Sequence, residues 1–99
     1  MGKKASDPIV LDGDGELESY LRTNHSVYMD VEGKSYYLTD VNDHYWRVQD
    51  TEQLNDKGHY VDVSEPVATV SDFMRTPAIG ERSIADYVGV ATFYPSVKA

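Results

Sequence analysis

Between Val27 and Gln49 the chain keeps a period of two, and that pattern constrains it more than anything else in the sequence. Val27, Met29 and Val31 alternate with Tyr28 and Asp30; Tyr36 and Leu38 alternate with Tyr37 and Thr39. Successive side chains of a strand point to opposite faces, so this segment folds as sheet and not as helix. Glu32-Gly33 separates the two runs. A hairpin turning there pairs Met29 with Tyr36 and Val27 with Leu38 on one face, and Tyr28 with Tyr37 on the other. Glu32 is not the residue type that a tight turn of two left-handed residues prefers, so a longer turn including Lys34 is a second reading. Asn42-Asp43 marks the next turn. Tyr45 to Gln49 reads as a third strand, with Trp46 and Val48 on one face and Tyr45 and Arg47 on the other.

The flanks read differently. Residues 1–7 are small, charged and polar, and are expected to form a loose tail ahead of a single domain over 8–99. Ile9-Val10-Leu11 is too short to classify by period. A helix is expected from Glu16 to about Thr23, because Leu17, Tyr20 and Leu21 fall on one face and Asp14 can cap it. Thr51 to Gly58 reads as a polar loop and His59 to Val63 as a fourth strand. Thr69 with Asp72, and Ser83 with Asp86, have capping-box spacing. The first opens a short helix that Pro77 stops. The second opens one that places Ile84, Tyr87 and Val88 together. Val90 to Tyr94 is a candidate fifth strand. The expected fold is therefore α+β: an antiparallel four-stranded meander, with a C-terminal strand as a fifth, carrying an N-terminal helix and two short C-terminal helices on one face.

Composition then excludes several chemistries. The chain has 17 acidic and 9 basic residues, a net charge of −8, which argues against a nucleic-acid backbone as partner. With no cysteine there is no disulfide, thiolate metal site or cysteine nucleophile. No apolar run approaches the ~18 residues of a membrane helix, and no apolar stretch follows Lys3 and Lys4 as in a signal peptide. A cytoplasmic protein that binds neither membrane nor cofactor is the expectation.

The motifs that suggest chemistry do not survive their spacing. Asp12-Gly13-Asp14-Gly15-Glu16 resembles part of a calcium loop, but no frame supplies both the required glycine and the closing glutamate. Gly13-x-Gly15 lacks the third glycine of a dinucleotide site, Glu18 standing in its place. Gly33-Lys34-Ser35 lacks the upstream glycine of a phosphate loop, which falls on Tyr28. The histidines, His25, His44 and His59, are never three to five residues apart. His44 and His59 could meet in space beside Asp43 or Asp62 and hold a metal or act as a base.

Aromatic residues carry the functional expectation. The chain has eight tyrosines and one tryptophan, and alternation puts Tyr28, Tyr36, Tyr37, Tyr45 and Trp46 on both faces of the sheet. If helices cover one face, Tyr28, Tyr37 and Tyr45 form a contact surface on the other, with Asp30 and Asp43 among the acids that would steer a basic protein partner. The same face could close a homodimer. The alternative is a small-molecule-binding or enzymatic domain, its pocket lined by Trp46, Phe73 and Tyr87 with His44 or His59 as the polar group.

Overall fold

The structure is a computed structural model that describes residues 3–41, 44–79 and 81–97. Its elements run β1 (Lys3–Lys4), α1 (Asp14–Asn24), β2 (Ser26–Val31), β3 (Lys34–Val41), β4 (Tyr45–Leu54), β5 (Tyr60–Asp62), α2 (Val70–Arg75), β6 (Pro77–Ile79), β7 (Arg82–Ser83), α3 (Ile84–Tyr87), β8 (Thr92–Tyr94) and β9 (Ser96–Val97). Five strands form one sheet in the order β5-β4-β3-β2-β8, every pairing antiparallel. With three helices on it, this is the α+β architecture that the periodicity implies. No helix among the described residues is long and apolar enough to cross a membrane.

The central hairpin has the register expected from the sequence: Met29 opposes Tyr36, Val27 opposes Leu38 and Tyr28 opposes Tyr37. The turn is the tight one, since Val31 pairs directly with Lys34. Glu32 and Gly33 both lie in the left-handed region, at φ 53° and 80°. That conformation matches the twist of the two strands, costs glycine nothing, and strains Glu32 by about 1–2 kcal/mol.

One sheet face presents Val27, Met29, Leu38, Trp46, Val48 and Phe93 to the helices. In return α1 delivers Leu17 and Leu21, α2 Val70, Phe73 and Met74, and α3 Ile84 and Tyr87 with Val88 just beyond it. Each such side chain, fully buried, contributes roughly 1.5–3 kcal/mol. The short helices start where their caps dictate. The Thr69 hydroxyl accepts the Asp72 N–H at 3.1 Å, and the Ser83 N–H donates to Asp86 Oδ2 at 3.0 Å.

Several boundaries differ from the expectation. Gly13, not Asp14, holds the cap position of α1; Asp14 is its first helical residue. Lys3 and Lys4 pair with Val97 and Ser96, so this part of the expected tail is strand. The chain then stays beside β8, with the Ala5 N–H on the Pro95 carbonyl (2.9 Å) and the Ile9 N–H on that of Phe93 (2.8 Å). β4 continues through Thr51 to Leu54, where a loop was expected. The Asp50 carboxylate accepts the Glu52 N–H and holds an irregularity in the β4–β5 ladder, beyond which pairing resumes at Leu54 and Tyr60. Pro77 stops α2 and opens a small β6–β7 hairpin that the sequence reading missed. The expected turn at Asn42-Asp43 lies outside the described residues.

Candidate functional site

The tyrosine face is not an open surface. Tyr28 is 2% exposed and Tyr37 9%, against 51% for Tyr45. Two things close over them. Beyond Asp50 the β4–β5 hairpin carries Tyr60 across the face, its ring 5.9 Å from that of Tyr37 and 6.5 Å from that of Tyr28. The Tyr28 and Tyr60 hydroxyls meet at 3.3 Å, and burial, followed by this contact, pushes the Tyr28 phenol above its ordinary range. From the opposite edge β9 brings Ser96 Oγ to 3.4 Å from the Tyr37 hydroxyl. Lys4 of β1 pairs with Asp30 at 2.8 Å and lies over the Tyr94 ring. Tyr28 and Tyr37 thus form a second small core. Tyr45 packs instead against His44, near the start of β4. Asp43 lies outside the described residues.

The expected pocket between sheet and helices is occupied by its own lining. Trp46, Phe73 and Tyr87 are all buried in the core, with Trp46 stacked on Phe73 at 5.8 Å. His44 and His59 take different surroundings: His44 meets Tyr45, while His59 lines a cleft with Arg47 and Gln49. Among the described residues no three metal-ligating side chains gather. The histidine that does find a carboxylate is His25, which the sequence reading paired with nothing. It closes α1 in the left-handed conformation, and its Nδ1 lies 2.6 Å from Asp40 Oδ2 beside the Trp46 ring.

Two of the concave surfaces on the described residues bear on function. One is a groove of about 760 Å³ between residues 8–13 and the corner that joins α3 to β8. Ile9, Leu11, Ala85, Val88, Ala91 and Phe93 give it apolar walls, and Asp12 is the one charged residue among the described residues that line it. Val10, on its lip, is 84% exposed. The Asp12 N–H donates to Glu16 Oε2 at 2.8 Å, which holds a second carboxylate beside the opening. Asp7 and Asp86, also exposed, adjoin lining residues in sequence. The apolar run at Ile9-Val10-Leu11 was the sequence signal for this groove. Its other wall, some 80 residues away, was not deducible.

The other surface is polar and lies on the outer sheet face, where Arg47, Gln49, His59, Tyr60 and Asp62 meet. Alternation along β4 already puts Arg47 and Gln49 on that face. The folding over of β5 that completes the cleft has no such signal.

No protein family matches this chain, and neither the curated proteins nor the solved structures contain a significant match to it.

Proposed function

We propose that the protein is a non-enzymatic binding module that docks a basic segment of a partner protein in the groove between residues 8–13 and the α3–β8 corner. The observation that carries this reading is Val10, almost fully exposed on the lip of a groove with apolar walls. Single exposed apolar residues are ordinary, but one continuous with an open apolar groove is a contact surface waiting for an anchor. Charge selects the occupant. Asp12 and Glu16 sit at the opening, and the net charge of −8 draws cationic partners and repels a second copy of the chain. The tyrosine-face version of this idea gives way, because Tyr28 and Tyr37 are already covered.

The alternative, a small-ligand or enzymatic domain, draws its support from the polar cleft at Arg47 and His59 and not from the space between sheet and helices.

A peptide array of graded charge tests the reading, with affinities measured by fluorescence polarisation. Peptides that combine Lys or Arg with one large apolar anchor should bind, more weakly as salt rises. Val10→Asp, at an exposed position, should weaken binding by about tenfold or more without loss of fold. Equal binding to Val10→Asp, or selection of peptides without regard to charge, overturns the proposal. A dimeric mass in light scattering, lost in Val10→Asp, would assign the groove to self-association instead.

A further inference from the structure

The polar cleft is built around an arginine whose bonding is incomplete. Arg47 pairs across the sheet with Thr39, and Gln49 with Tyr37, so both long side chains stand on the outer face. The β4–β5 hairpin brings His59, Tyr60 and Asp62 against them. Two depressions, of about 380 and 270 Å³, share Arg47, Gln49 and His59 as lining, and the second also takes in Tyr37, Thr39 and Asp40.

The carboxylate that pairs with the arginine, Asp62, is shared with Gln49. Asp62 Oδ1 accepts from Gln49 Nε2 at 2.9 Å, while Arg47 Nη1 reaches Oδ2 only at 3.4 Å. Gln49 Nε2 also donates to the Tyr60 carbonyl at 3.3 Å, so the amide is fixed in place. Arg47 Nε is buried and finds no acceptor among the described residues. A guanidinium presents five donors in a planar fork, and a buried donor without a partner is rare in folded proteins. With its Nε–Nη edge turned into the cleft, the side chain would have both donors satisfied at once by a planar two-oxygen acceptor.

We propose that this cleft is a binding site for a small monocarboxylate carried on a flat apolar body. The carboxylate takes the Arg47 fork with His59 as a further polar contact, and the body lies against Tyr60. Asp40 and Asp62 line the same cleft and oppose any anion, a phosphate dianion more strongly than a monocarboxylate. The site is independent of the apolar groove and stands or falls without it.

Titration by ¹⁵N–¹H NMR tests it, with benzoate, acetate and inorganic phosphate as probes and sodium chloride at matched ionic strength as control. Benzoate should shift the amides of residues 47, 49 and 59–62 and the Arg47 Nε–H saturably, and leave residues 8–13 unmoved. Arg47→Lys keeps the charge but not the fork, and should weaken binding about tenfold. His59→Gln, at an exposed position, should weaken it severalfold with the amide spectrum otherwise preserved. Shifts that do not saturate, that chloride reproduces, or that persist unchanged in both variants overturn the proposal. Phosphate binding more tightly than benzoate overturns the choice of carboxylate.

Discussion

Asp50 shows how much of this fold rests on single polar contacts. Its side chain is 2% exposed at the edge of an apolar core, where an unpaired charge would be untenable. Three donors make it tenable: the Glu52 N–H on Oδ1 at 2.9 Å, with Gln53 Nε2 at 2.8 Å and Lys34 Nζ at 3.1 Å on Oδ2. The Glu52 N–H, then Gln53, and then Lys34 hold the carboxyl below its ordinary range against the opposing effect of burial. A carboxylate with a depressed native pKa stabilises the fold above its unfolded pKa and loses that contribution as pH falls through the native value. Asp50→Asn should therefore cost about 1–3 kcal/mol in urea unfolding at pH 7. The gap between variant and wild type should narrow below about pH 4, as the carboxyl titrates in the unfolded and then in the native state. An unchanged gap down to pH 2 would mean that the charge is not what the site uses. Nothing in the sequence marks Asp50 among 17 acids, because its partners converge only when β4 bends.

At the scale of elements, the hairpin from Ser26 to Val41 was legible because two independent signals agree there. Alternation fixes the faces, and Glu32-Gly33 fixes the register. Replacing Glu32 by Asn, which tolerates the left-handed conformation at φ 53°, should stabilise the protein by about 0.5–1 kcal/mol. Thermal unfolding should register this as a midpoint rise of roughly 2–8 °C in a domain of this size. The caps of the short helices were legible for the same reason, since a hydroxyl at fixed spacing from an N–H is a local device. Thr69→Ala removes the acceptor of the Asp72 N–H and should cost about 1 kcal/mol, measured as a lowered urea midpoint. Elsewhere a local preference is overridden from a distance. Thr51 to Leu54 is polar enough for a loop, yet Thr51 Oγ1 bonds the Ser35 carbonyl at 2.8 Å and the strand continues. The two residues of β1 form a strand only because β9 is there to pair with them.

At the scale of the whole molecule, the difference between expectation and structure lies in which surfaces cover one another. Period two correctly puts Tyr28 and Tyr37 on the face away from the helices, but a period cannot say what crosses that face. Tyr60, 23 residues beyond Tyr37, and Ser96, 59 residues beyond it, come from opposite edges of the sheet. The consequence can be measured as stability rather than as binding. Tyr37→Ala should destabilise the fold by about 3 kcal/mol, since it empties a buried aromatic site under Tyr60. Tyr37→Phe, which gives up only the long contact to Ser96, should stay within about 1 kcal/mol of wild type. Tyr45→Ala, half exposed, should change stability by no more than about 0.5 kcal/mol. The same three variants separate a buried cluster from an open contact face. If the face were open, Tyr37→Ala and Tyr45→Ala would both be mild in urea and both would weaken association. A closed face makes the first variant costly and the second silent.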